Sequence, residues 1–230
     1  MRVTGASREQ LRSQFLAGIP SWYSPALHLA LPSLVALAVA SVALSLLHGV
    51  AAWQLACVPL FLVAANALEW HLHRDVLHRR VRFLSALYLR HIPGHHAIFV
   101  ADDLALRDRR ELRLVLLPGL APPVILALAT LPAAALGALA GRNLGLLWLA
   151  TASLYLVAHE AAHLACHLPA GPLDRLPGLA PLRRHHRHHH AGVLGARWNF
   201  NVTLPLWDAV QGTRWRPGAL PLPTPIPRHA

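Results

Sequence analysis

Arg183-Arg184-His185-His186-Arg187-His188-His189-His190 is the stretch on which the reading of this chain turns. Five of its eight residues are imidazoles, and Trp198-Asn199-Phe200 follows shortly after. Neutral imidazole is the commonest protein ligand for transition metals, so a dense run of it points first to a metal. A purification tag would sit at a terminus, and this run lies inside the chain. The arginines alone could form a basic patch on a membrane surface. Neither alternative accounts for the other histidine groups.

Those groups lie upstream. His163 and His167 stand four apart, a spacing that puts both rings on one helical face, with Glu160 about one turn earlier. His91-Ile92-Pro93-Gly94-His95-His96 sits on a break marked by Pro93-Gly94, and His73-Arg74-Asp75-Val76-Leu77-His78 follows Glu69 by four residues. Glu69 and Glu160 can therefore act as ligands or as orienters of ligating rings. Ten imidazoles, His73, His78, His91, His95, His96, His163, His167, His186, His189 and His190, are too many for one ion, which takes about four to six ligands. Two ions sharing the set is the natural expectation. His28 and His48 are isolated and read as interfacial polar groups.

The surrounding chain is oily and basic. Of 230 residues 55% are hydrophobic, with a mean hydropathy of +0.41 and a formal charge of +11 carried by arginine alone. Long apolar runs predict an integral membrane protein, in which such a charge reflects the positive-inside bias rather than nucleic-acid binding. Cys57 and Cys166 both fall in apolar segments and read as buried thiols. Polar Met1–Gln10 and a late first apolar run argue against a cleaved signal peptide.

Spans are expected at about 26–47, 50–68 (its helix continuing through His73), 112–140 and 144–168. The third is interrupted by Pro118, Pro122, Pro123 and Pro132 and should kink or break. The fold class is thus all-α, about four transmembrane helices in two hairpins under a histidine-rich cap carried on loops. Of 21 arginines only Arg142 falls in a loop on the far side, so both termini, the cap and the site are expected in the cytoplasm. The expected organisation is a cytoplasmic arm (1–24), a membrane-embedded domain (25–215) and a Pro-rich tail (216–230).

The pattern His73-x4-His78, His91-x3-His95-His96, His163-x3-His167, His186-x2-His189-His190 resembles the histidine boxes of the fatty acid hydroxylase/sterol desaturase superfamily. Asn66-Ala67-Leu68-Glu69-Trp70, Arg197-Trp198-Asn199-Phe200 and Pro205-Leu206-Trp207-Asp208-x3-Gly212-Thr213 are similar too. His185-x2-His188-His189 offers a competing register for the last box. The resemblance implies a membrane oxidoreductase in which two irons (zinc is an expected substitute in purified protein) and O2 hydroxylate or desaturate a lipid. Asn199, Glu69 and Glu160 would support the ligands, and no separate catalytic acid or base is assigned. The lipid would enter laterally from the bilayer. Electrons would come from a separate cytochrome b5-like or ferredoxin-like donor, since none is fused.

A rival reading rests on His159-Glu160-Ala161-Ala162-His163, which spells the H-E-x-x-H motif of zinc hydrolases. An intramembrane metalloprotease built on it would leave most other histidines unexplained. A metal carrier without catalysis would need an ion path that the first two spans lack.

Overall fold

The computed structural model describes residues 5–192 and 197–217. The start of the arm (1–4) and nearly all of the Pro-rich tail (218–230, including His229) lie outside them. The described residues are mostly helical and contain no β-strand.

Helix α1 (Gly5–Ala17) lies outside the spans and lays Leu11 and Phe15 on a small core of Ile98, Phe99, Leu104, Leu114 and Val115. Ser24 caps α2 (Pro25–Ser45) by accepting the Leu27 N–H, with Pro25 at the first helical position, where its missing donor costs nothing. A short α3 (Ala52–Leu55) leads into α4 (Val58–His71), which runs on as a π-helical turn, Leu72–Leu77. The connection to the next hairpin carries α5 (Ser85–Arg90), a second π-helical turn (His91–His96) and the single turn α6 (Leu112–Val115). Helix α7 (Ala121–Ala140) turns over at Gly141, whose φ of +103° favours glycine, into α8 (Arg142–His167). Then come α9 (Leu179–His189) and α10 (Leu206–Val210).

Among the described residues, four helical stretches are long and apolar enough to cross a membrane: Pro25–Ser45, Ala52–Leu77, Ala121–Ala140 and Arg142–His167. They form two hairpins. The two hairpin turns meet at one end, where the Asn143 amide donates to the His48 carbonyl (2.8 Å). The most buried span is α8, which packs against α2, α4 and α7; Ala36, Leu126 and Leu156 fill the α2–α7–α8 junction. The outward faces expose Leu31, Leu34, Leu60 and Leu131, as lipid-facing helices should.

The predicted break in the third span falls between α6 and α7. Non-helical backbone at membrane depth must find partners in the protein, and three elements supply them. Arg90 donates to the Arg113 and Leu116 carbonyls, His28 Nε2 donates to the Leu117 carbonyl (2.9 Å), and the Glu160 carboxylate accepts the Leu117 N–H (3.2 Å). The isolated His28 thus ties α2 to the break.

One expectation needs correction. The cap is not made of loops: His91–His96 is a π-helical turn and His186 and His189 lie on α9. Helix α9 forms because Leu179, His186 and His189 share its inner face.

Candidate metal centre and its apolar cavity

The C-terminal ends of α4 and α8 lie at the same end of the bundle, and the ten histidines converge there in two groups of five. His73, His78, His91, His96 and His189 form group one; His95, His163, His167, His186 and His190 form group two. Within each group one nitrogen per ring lies within 4.8 Å of all the others.

Local helix geometry explains the sorting. The pairs His73/His78 and His91/His96 are five residues apart. On an α-helix that spacing leaves side chains about 140° apart. A π-helical turn, with about 4.4 residues per turn, narrows the angle to about 50°. Both pairs sit on such turns, and the His78 N–H donates to the His73 carbonyl (3.1 Å) five residues back. His163 and His167 share a face of α8 by ordinary α-helical spacing, as do His186 and His190 at the end of α9. The adjacent pairs His95-His96 and His189-His190 diverge by one helical step, about 80° on the π-helical turn and about 100° at the end of α9, and each pair gives one ring to each group.

The ring nitrogens are oriented from behind. Nδ1–H of His73 donates to the Phe200 carbonyl, His167 to Leu104 (2.8 Å), His189 to Trp198 (3.0 Å) and His190 to Phe99 (2.7 Å). A carbonyl can only accept, so each of these neutral rings presents an unprotonated Nε2. Burial, reinforced by neighbouring imidazoles, holds His78, His91, His95, His96, His186 and His190 well below the usual histidine range. Burial brings His189 to about 4. Neutral imidazole is the ligating form.

The Nε2 atoms then face one another. His91 Nε2 lies 3.0–3.1 Å from those of His73, His78 and His96; His78 and His189 meet at 3.0 Å, His95 and His190 at 3.1 Å, and His167 and His186 at 3.0 Å. One proton on His91 cannot serve three neighbours, and His163 Nε2 is buried without a partner. A cation held at the centre of each group would satisfy all of these lone pairs. With metal–nitrogen bonds of about 2.1 Å, ligands at right angles stand about 3.0 Å apart and tetrahedral ligands about 3.4 Å. The observed spacings of 3.0–3.1 Å are therefore of the size expected of imidazoles that would share one ion.

Asn199, Glu69 and Glu160 are placed differently. Asn199, with a φ of +61°, donates to the His185 carbonyl and accepts the Trp215 N–H, fixing the chain after α9. Glu69 bonds no ring of either group. Its carboxylate accepts from Val202 N, Thr203 N, Thr203 Oγ1, Asn201 and the Tyr155 hydroxyl, so it anchors the segment whose Phe200 carbonyl orients His73. Glu160 serves the α6–α7 break described above. His159 lies in neither group; its Nδ1 is 3.3 Å from Glu69 Oε1. His185 bonds Asp208 and His188 stacks on Trp215, so in the last box it is His186, His189 and His190 that join the groups.

Asp208, within the Pro205–Thr213 motif, has a role that its sequence position alone does not assign. This fully buried carboxylate accepts from Phe200 N, Trp70 Nε1, Thr213 Oγ1 and Asn201 N. Its signal is an acid within a patterned C-terminal motif of a chain that holds only ten. Asn66 and Asn201 join the same network, the amide of Asn201 donating to the Asn66 carbonyl and that of Asn66 to the Leu204 carbonyl.

An apolar cavity of about 310 Å³ opens against these rings. His73, His91 and His163 line its head, and its walls descend between α4, α7 and α8 past Leu68, Ile125, Leu128 and Leu156. Its polar lining groups are few, chiefly Glu69, Tyr155, His159 and Arg90, all toward the head.

Fold and site together define a four-span helical membrane protein with a histidine-only centre able to bind metal at the head of a lipid-sized cavity. The sequence profile of the Fatty acid hydroxylase family matches residues 58–213, and the chain belongs to that family. It is similar to a solved structure described as full-length scs7p with only its hydroxylase domain visible. The TM-score is 0.54 at 20% identity, over 80% of this chain and 64% of that one, a likeness of fold. No curated protein matches the sequence significantly.

Proposed function

We propose that this protein is a membrane di-iron oxygenase that uses O2 and externally supplied electrons to hydroxylate, or desaturate, a C–H bond of a lipid. The observation that carries the reading is the pair of five-imidazole groups, lone pairs facing inward, at the head of an apolar cavity. Irons bound there would supply O2 reduction and attack on an unactivated C–H bond.

The chain's own residues do the rest. The imidazoles of group one and group two hold the ions, and carbonyls of Leu104, Phe99, Trp198 and Phe200 fix their rings. Leucine and isoleucine walls bind the alkyl chain and keep water from it. Leu68 and Leu128, both cavity-lining, are 50% and 58% exposed on the lipid-facing side, which supports entry from the bilayer. The arginine distribution supports a cytoplasmic position for the site, where a separate cytochrome b5-like or ferredoxin-like donor can reach it.

The geometry counts against a zinc hydrolase. Glu160 is engaged with Leu117, where the H-E-x-x-H mechanism needs it beside the metal, and the His159 ring lies 6.2 Å from that of His163 while its Nδ1 faces Glu69.

The test combines metal analysis with lipid profiling under labelled O2. Purified protein should hold two ions per chain, and labelled hydroxyl should appear in a lipid, or an unlabelled new double bond if desaturation is the outcome. Both should vanish in His96→Ala and His167→Ala. One tightly bound zinc, lost on His159→Ala, would overturn the reading.

A further inference from the structure

The cavity has a built end. Along α8 its lining runs from His163 through Leu156 and Ala152 to Trp148, and on α7 it stops at Pro132. No described residue nearer the Gly141 turn lines it on either helix. Two features close it there. Below Trp148 the backbones of α7 and α8 come so close that a Cβ on Gly145 would meet the Ala133 carbonyl oxygen at 2.3 Å. Across the gap above that contact, the Trp148 indole donates to the Ala129 carbonyl (3.0 Å) and meets Phe61 of α4 edge-on, with ring centroids 5.5 Å apart. Trp148 is therefore pinned to two neighbouring spans and cannot swing aside as a loose side chain would.

We infer that the cavity is a blind channel for one linear acyl chain, and that Trp148 sets how long a chain it takes. The inference rests on the lipid-oxygenase reading only for what happens at the head of the channel. Fifteen residues of α8 separate His163 from Trp148, a rise of about 22 Å. An extended chain advances about 1.2 Å per bond, so about 15 to 18 carbons fit between the ligating end and the indole. The head group stays on the histidine side, because the polar lining is there and the deep end offers only the Trp148 indole N–H, already bonded to Ala129. The methyl end points toward the Gly141 turn.

Ala152, one helical turn nearer the histidines, provides an independent control, since a large side chain there should move the floor upward.

The experiment uses full-length protein purified in detergent and incubated with an equimolar ladder of saturated free fatty acids of about 12 to 24 carbons. Native mass spectrometry reads which lengths are retained. Wild type should show a maximum with a sharp fall above it. Trp148→Ala should move the maximum up by about four carbons, the length of the lost indole. Ala152→Phe should move it down by about the same number, one helical turn. If Trp148→Ala does not fold, Trp148→Phe, which keeps a ring but shortens it, should still move the maximum up by about one or two carbons, and no movement there would overturn the role of Trp148. A retained distribution unmoved by either substitution would mean that chains leave through the Leu68–Leu128 flank, and the inference would fall. The two readings fail separately. Shifts in the ladder without labelled oxygen in any lipid would keep the channel and remove the oxygenase. Labelled product with an unmoved ladder would do the reverse.

Discussion

At the scale of single residues, Asp208 and the register of the last histidine box give the sharpest tests. Asp208 holds Phe200 and Asn201 by their backbone N–H groups, and the Phe200 and Trp198 carbonyls orient His73 and His189. Both rings belong to group one, whereas group two takes its carbonyls from Leu104 and Phe99. Asp208→Asn keeps the shape but turns one acceptor into a donor. We expect it to weaken group one selectively, by about 10–100-fold in metal affinity, so that metal analysis falls from two ions per chain toward one. Equal loss from both groups would mean that Asp208 acts on the fold as a whole. The box register separates as cleanly: His188→Ala should leave metal content and activity near wild type, because that ring stacks on Trp215. His189→Ala should abolish activity.

At the scale of elements, the cap and the break show what holds the site in place. Helix α1 is pinned by Arg12, 4% exposed, whose guanidinium pairs with fully buried Glu111 at 3.3 Å and lies over Phe99. Arg12→Ala would strand a buried carboxylate, at a cost of about 3–5 kcal/mol; a lower unfolding temperature in detergent should report it. Gly145→Ala should also destabilise, by about 1–3 kcal/mol, because α7 and α8 must separate to admit the methyl. An unchanged melting temperature would show that the contact between them is slack. The spans themselves were legible because an apolar run of about 20 residues has few other readings, and the interruption near Pro118 followed from proline's missing donor. The sorting of histidines was not legible. A five-residue spacing separates two rings on an α-helix, and nothing in Leu72–Leu77 or His91–His96 announces a π-helical turn before the fold is seen. The roles of Asp208, Glu69 and Glu160 were hidden for a related reason: each holds backbone N–H groups of another segment, and backbone groups leave no mark on sequence pattern.

For the whole molecule, the arginine count makes an orientation testable. In a Cys57→Ser background, a cysteine in place of Arg142 should react with a membrane-impermeant thiol reagent only from outside the cell, and one in place of Arg80 only after the cytoplasmic face is opened. Reaction of both from one side would discard the two-hairpin arrangement. The same view of the molecule explains why four scattered boxes converge: the second and fourth spans end on one face, and the cap between and after them has nowhere else to bury its imidazoles.

The make-up of the two groups has an electrical consequence. Every ligating atom is a neutral ring nitrogen, and no carboxylate belongs to either group. Two divalent ions seated there would bring four positive charges into the protein with no ligand charge to offset them. Oxidising either ion would add to that excess in a poorly solvated place. Were iron the metal, such a donor set would favour the ferrous state and raise the reduction potential above that of a carboxylate-rich pair. Ions held there would also draw small anions such as hydroxide, azide or fluoride strongly to themselves.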